Sequence, residues 1–148
     1  MPGNKENILV TAAAGIDSLL PIKDGEAFHA MLWEKIGTYL DYVDKSVHKP
    51  AIHQMTMVRL NKYKVESYMH MHHDHIYSLF DGVRKGIPIL SLVALFNDDF
   101  TGGEFKLNKE HIDIKKNQLL IFPSIFLYEH NVEPILSGER YSAVAWAY

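Results

Sequence analysis

Tyr68-Met69-His70-Met71-His72-His73-Asp74-His75 packs four histidines and an aspartate into eight residues, in a chain with nine histidines overall. The run alternates. Read as a strand, it sends Tyr68, His70, His72 and Asp74 to one face and Met69, Met71, His73 and His75 to the other. An imidazole and a carboxylate two positions apart on a strand are two thirds of the two-histidine, one-carboxylate set that holds Fe(II) on one side and leaves positions open on the other. The third ligand should be a histidine well downstream, returned by a neighbouring strand. His130, in Tyr128-Glu129-His130-Asn131-Val132, is the candidate. Parity also leaves His70 on the His72 face, and a register slip would exchange the pairs. His70, His73 and His75 are read as exposed or supporting residues.

Working outward, the segment 51–148 is made of short runs rich in Val, Ile, Phe and Tyr, broken by Asn, Asp and Gly, which is the texture of an antiparallel β domain. Eight strands are expected: Ile52 to Asn61, Glu66 to Asp74, Ile89 to Asn97, Glu104 to Leu107, His111 to Ile114, Gln118 to Phe122, Leu127 to Val132 and Arg140 to Trp146. Eight strands suit a double-sheet roll. Turn chemistry sits at Asn97 to Gly103, Lys115-Lys116-Asn117 and Ser137-Gly138-Glu139. Ile76 to Pro88, with Asp81-Gly82 and Lys85-Gly86 inside it, reads as a longer loop, a lid beside the histidine strand.

Upstream, 24–44 carries Phe28, Met31, Leu32, Ile36, Tyr39, Leu40 and Val43 at three-and-four spacing, an amphipathic helix that covers a sheet. Pro21 and His48-Lys49-Pro50 bound it. With 148 residues the chain is the size of one domain, and 47% hydrophobic residues are enough for a core. A net charge of -3 gives no basic footprint for nucleic acid. There are no cysteines, so disulfides and thiolate metal sites are excluded. The opening Met1 to Asn7 is polar and the apolar stretch after it is short, which places the chain in the cytoplasm with no membrane span.

Further residues fall into an ordered series: Arg59 and Tyr63, His72 and Asp74, Asn97, Gly102-Gly103-Glu104, Phe122-Pro123, His130, Val132 and Pro134, Gly138 and Arg140, and Trp146. In this order they resemble the Fe(II)/2-oxoglutarate-dependent dioxygenases, in particular the small prolyl-4-hydroxylase-like branch of bacterial and viral type. The resemblance covers Gln54 to the C-terminus; an isolated His-x-Asp is weak, whereas the ordered set is specific. It implies a mainly β fold with a flanking helix, the double-stranded β-helix (jelly roll, cupin-like). It implies Fe(II) on His72, Asp74 and His130, with 2-oxoglutarate as co-substrate, O2, and ascorbate as an optional reductant. Arg140 would grip the far carboxylate of 2-oxoglutarate, since a guanidinium fork matches a carboxylate in a two-point bond. Tyr63 would donate to the same carboxylate, and Ser142, on the Arg140 face, would add a hydroxyl. Trp146 shares that face by alternation and is read as core.

Two departures stand out. Relatives commonly have Gly where this chain has Glu66, which suggests a regular strand in place of a bend. Ala94 stands where many prolyl hydroxylases have a second cofactor-contacting tyrosine. The first fifty residues carry no motif. A second His-x-Asp, His111-Ile112-Asp113, lies too close to His130 for the strands that must intervene, and is read as surface decoration.

The activity implied is hydroxylation of a C–H bond with release of succinate and CO2. The intact Asp74 favours hydroxylation over halogenation, which needs the carboxylate position vacated. A prolyl or other residue of a peptide or protein is the expected substrate, recognised by the loop Ile76 to Pro88 with Arg84 and Lys85. A small metabolite ranks second. Nucleic acid ranks last, because the chain is net acidic and has no arginine after Arg140, unlike the alkylation-repair branch. The rival from another class is a non-catalytic metal-binding roll, although a purely structural metal site has no use for a dicarboxylate anchor at Arg140. The oligomeric state is left open.

Overall fold

The structure, a computed structural model, describes residues 9–11, 25–43, 52–74 and 87–148. Three layers stack in it. One helix, α1 (Gly25–Val43), covers a five-stranded antiparallel sheet of β1 (Leu9–Thr11), β8 (Gln118–Pro123), β4 (Leu90–Leu95), β11 (Arg140–Ala147) and β2 (Arg59–Tyr63), in that order. A four-stranded sheet of β3 (Met69–His72), β9 (His130–Val132), β6 (Phe105–Leu107) and β7 (Glu110–Ile112) faces it. A third ladder pairs β5 (Thr101–Gly102) with β10 (Ile135–Ser137). The architecture is the double-stranded β-helix with a flanking helix.

Alternation along the strands builds two cores on either side of the five-stranded sheet. Leu90, Leu92 and Ala94 of β4, Leu119 and Ile121 of β8, and Ala143, Ala145 and Ala147 of β11 meet Phe28, Leu32, Ile36 and Tyr39 of α1. The alanines leave room for the helix. On the opposite face Val93, Leu120 and Phe122 pack with Phe105, Leu107, Ile112 and Val132 from the other sheet. Burying apolar surface at roughly 25 cal/mol per Å² drives both layers together, and the in/out pattern of each strand says which layer it serves. Met31 and Leu40 are half-buried as the helix period requires, while Val43 is exposed at the helix end.

The strands differ from the sequence expectation in ways that have local causes. Ile52 to Asn61 is not one strand: Met55 only bridges Ala147, and pairing starts at Arg59. The Thr56 hydroxyl accepts the Trp146 N–H at 3.0 Å, which takes a ladder donor away from the backbone. Leu127 to Val132 shortens to β9 because the Tyr128 N–H turns back to the Ile125 carbonyl. His111 to Ile114 likewise ends early, at Ile112, where the Ile114 N–H folds onto the Ile112 carbonyl. The β5/β10 ladder was not among the expected strands: β5 falls inside the turn expected at Asn97 to Gly103, and β10 ends at Ser137, the first residue of the turn expected there. Gly102, at φ 73, has the Pro134 carbonyl in the space a Cβ would need, so this crossing requires glycine.

Glu66 corrects the sequence reading most plainly. A regular strand was expected there, yet Glu66 sits in a turn at φ 69, its N–H on the Ile135 carbonyl and the Ser67 N–H on the Lys64 carbonyl. The bend persists without glycine. The loop Ile76 to Pro88 up to residue 86, together with His75, Pro21, the His48-Lys49-Pro50 break and the N-terminal residues 1–8, lies outside the described residues. No helix among the described residues is long and apolar enough to cross a membrane.

Candidate active site

His72, Asp74 and His130 come together between the two sheets, where one ligand atom from each lies within 4.8 Å of the others. His72 Nε2 is 3.5 Å from Asp74 Oδ1, and His130 Nε2 is 3.6 Å from Asp74 Oδ2. The two imidazoles sit 4.2 Å apart, centroid to centroid. They are placed by the β3/β9 pairing, which sets His72 opposite His130 and Met69 opposite Val132. Three residue steps on β3 face two on β9, so β3 carries a bulge. Strict alternation therefore fails: Met69 lines the same cleft as His72, while His70 is exposed and edge-stacked on Tyr68 at 4.7 Å.

Each ring is held through its far nitrogen. His72 Nδ1 donates to the His70 carbonyl at 2.8 Å and His130 Nδ1 to the Tyr128 carbonyl at 3.2 Å. A carbonyl only accepts, so the proton is on Nδ1 and the Nε2 lone pair of each neutral ring turns toward Asp74. Phe122 and Phe105 wall in the His130 ring at 4.9 and 5.6 Å. Burial there lowers the His130 pKa and keeps the ring neutral. When His72 is protonated its Nε2 donates to Asp74, which raises its pKa. Burial opposes ionisation of Asp74, yet the bond that His72 donates once protonated, the Ser91 hydroxyl, the attraction of a protonated His130 and the Trp146 indole together hold its carboxyl down at about 2. Two neutral imidazoles and a fixed carboxylate make a donor set suited to Fe(II).

The same cleft, about 420 Å³ including solvent at its mouth, is lined along β11 by Arg140, Ser142, Val144 and Trp146 and along β2 by Arg59, Asn61 and Tyr63. Arg140 is only 1% exposed. Its Nη1 donates to Ser142 Oγ at 3.0 Å, and its guanidinium lies 5.3 Å over the Tyr63 ring, its opposite number in the β11/β2 register. Burial pushes its pKa down to about 10. Nη2 has no hydrogen-bond partner among the described residues. A buried charged donor left unpaired costs about 1–3 kcal/mol or more, so this cation asks for an anion that the described residues do not supply. A dicarboxylate fits that demand: one end at the His/Asp/His cluster, the other at Nη2. Gly103, at φ 67, presses against the Arg140 stem, since a Cβ there would come within 3.2 Å of Arg140 Cδ.

The structure thus brings His72, Asp74, His130, Arg140, Tyr63 and Ser142 into one cleft. It leaves His111 exposed on β7 and Asp113 exposed and paired with Lys115 at 2.7 Å. Two sequence readings need correcting. Trp146 is not core: it is half-buried, lines the cleft and carries the Arg59 guanidinium 5.2 Å over its ring. Ala94 packs in the helix-side core and is not among the residues that line the cleft, which on β4 are Ser91, Leu92 and Val93. Ser91 and Ser124 were missed altogether. Ser91 Oγ donates to Asp74 Oδ2 at 2.6 Å and meets Ser124 Oγ at 2.8 Å. The available signal was a serine inside the apolar run Ile87 to Phe96, at a position alternation sends inward.

Comparison with known proteins gives the following. A family model described as the 2OG-Fe(II) oxygenase superfamily matches residues 58–148. No curated protein matches the sequence. Among solved structures, the viral collagen prolyl hydroxylase vCPH of Paramecium Bursaria Chlorella virus-1, in its 2OG complex, is similar with a TM-score of 0.60 at 20% identity, covering 83% of this chain and 71% of its own. A Trichoplax adhaerens prolyl hydroxylase in complex with a hypoxia inducible factor oxygen degradation domain peptide fragment has a TM-score of 0.62 at 17% identity, covering 95% of this chain and 61% of its own. A Pseudomonas putida prolyl-4-hydroxylase has a TM-score of 0.59 at 16% identity, covering 80% of this chain and 62% of its own. At these identities the likeness is one of fold.

Proposed function

Because the chain belongs to the 2OG-Fe(II) oxygenase superfamily, whose members are enzymes using Fe(II), 2-oxoglutarate and O2, we propose specific roles for its cleft residues and a peptide as its substrate. His72, Asp74 and His130 are the metal ligands, and Arg140 is the anchor of the distal carboxylate of 2-oxoglutarate, with Tyr63 and Ser142 beside it. The observation that carries this reading is the buried Arg140 Nη2, unpartnered among the described residues, in the same cleft as the His/Asp/His cluster.

The side chains divide the work. His72 and His130 present neutral nitrogens because their Nδ1 protons are committed to carbonyls. Arg140 binds and orients the co-substrate, and Ser142 holds the fork by accepting from Nη1, which leaves Nη2 free to donate. Val93, Phe105, Val132 and Val144 exclude water from the space between them. Bound there, Fe(II) with 2-oxoglutarate and O2 supplies the oxidising power that no side chain has, and the products are succinate, CO2 and a hydroxylated substrate.

A prolyl or other residue in a peptide is the proposed target, supported by the likeness to prolyl hydroxylases, one of them solved with a peptide. The test offers the enzyme, with Fe(II) and 2-oxoglutarate, proline-rich peptides, free amino acids and methylated oligonucleotides, and follows succinate together with a mass gain of one oxygen atom. A gain on a peptide is expected. A gain on an amino acid or oligonucleotide alone would overturn the substrate class, and absence of Fe(II) binding would overturn the site.

A further inference from the structure

Two serines sit where an apolar interior would be cheaper. Ser91, on β4, and Ser124, just past β8, are each 1% exposed, so neither hydroxyl can turn to solvent. Ser91 Oγ has a single proton, and it goes to Asp74 Oδ2 at 2.6 Å. At the 2.8 Å contact between the two hydroxyls, Ser91 must then accept and Ser124 donate. Ser124 is itself anchored, its N–H on the Ile89 carbonyl at 3.0 Å. The result is a directional chain from Ser124 through Ser91 to Asp74, each bond polarising the next.

Asp74 lies just beyond the end of β3, with no ladder bond of its own to orient the carboxylate. Its two oxygens face different imidazoles, Oδ1 toward His72 and Oδ2 toward His130. A carboxylate free to rotate between them could offer both oxygens to one metal ion and fill a position that a bidentate 2-oxo acid needs. The Ser91 proton makes the oxygens inequivalent. We infer that Ser91, backed by Ser124, is a positioning residue that holds Asp74 as a one-oxygen metal ligand and so keeps the coordination site open. The inference rests on the reading of His72, Asp74 and His130 as the ligands.

Titration of the protein with Co(II), whose visible absorption reports coordination number, separates the two claims. In Ser91→Ala the metal affinity should fall roughly 10- to 100-fold, as for other supports of a metal ligand. The Co(II) spectrum should change, and 2-oxoglutarate should bind the Co(II) form more weakly. Ser91→Thr, which keeps the hydroxyl, should restore both spectrum and affinity. Ser124→Ala should give a smaller loss in the same direction, because Ser91 still donates. A merely structural serine would lower the melting temperature and leave the spectrum alone. An unaltered spectrum with wild-type affinities in Ser91→Ala, or equal losses in Ser91→Ala and Ser91→Thr, would overturn the positioning role while the ligand assignment stands. A wild-type chain that took up no metal would overturn both.

Discussion

β11 and β3 both deliver residues to the cleft, and they do it by opposite means. β11 is eight residues long, paired on both sides, and alternates without a fault: Arg140, Ser142, Val144 and Trp146 point into the cleft while Ala143, Ala145 and Ala147 meet the helix layer. β3 has four residues, a partner on one side only among the described residues, and a bulge that brings Met69 and His72 to the same face. The long central strand gains its precision from two ladders of backbone bonds. The short edge strand gains it from side chains: carbonyl-anchored imidazoles and a serine-held carboxylate. The proposed cofactor anchor thus rests on backbone regularity and the proposed metal set on a local irregularity, which is where strained or bulged backbone tends to serve function.

The sharpest break should come on the β3 side. Asp74→Ala or His72→Ala is expected to abolish Fe(II) binding and 2-oxoglutarate turnover, since an open site with two remaining ligands holds the ion poorly; calorimetric titration with Fe(II) under argon checks it. His111→Ala should change nothing in the same titration, and loss of iron there with retention in His72→Ala would refute the assignment. On β11, Arg140→Ala should weaken 2-oxoglutarate binding severely and leave metal affinity near wild type. Charge-assisted hydrogen bonds are worth roughly 1.5–3 kcal/mol, and stranding the ligand carboxylate adds to that. Equal loss of metal and co-substrate would mean that Arg140 serves folding.

The two faces of β11 can be separated directly. Ala145→Leu, on the helix side, overfills a packed layer and should cost about 1–3 kcal/mol in urea denaturation. The folded variant should keep its 2-oxoglutarate affinity, and a parallel drop in affinity would show that the faces are coupled. Acidity probes β3. The bond to Asp74 raises the His72 pKa above the usual 6.5, whereas burial lowers that of His130. A metal must displace the His72 proton, so metal affinity is full at high pH and falls as pH drops through the raised value, with His130 adding its own loss only at lower pH. An affinity that stayed flat down to about pH 6 would contradict this. The smallest effect is expected from removing the bulge. Deleting the exposed Met71 leaves Met69 and His72 two apart, facing the cleft in ordinary register against Val132 and His130. Metal binding should survive, whereas deleting Tyr141 from β11 should exchange faces and destroy both packing and co-substrate binding.

From the residues alone, the helix and its buried face, most of the β segments and the ordered series from Arg59 to Trp146 were legible, because periodicity and motif spacing are local properties of the chain. That is also why the resemblance reached the family. What the tertiary structure decided are the places where a distant partner overrides the local pattern. Glu66 takes a left-handed turn because its N–H is claimed by Ile135. Ile52 to Asn61 breaks because Thr56 captures the Trp146 N–H. Met69 joins the cleft because β9 offers β3 one residue fewer than alternation needs. Trp146 turned out to line the cleft and Ser91 to hold Asp74, since the space between the sheets is bounded by residues far apart in sequence. A strand pattern states which side chains share a face. Only the packed sheets determine what that face meets, because register and burial are properties of pairs of strands.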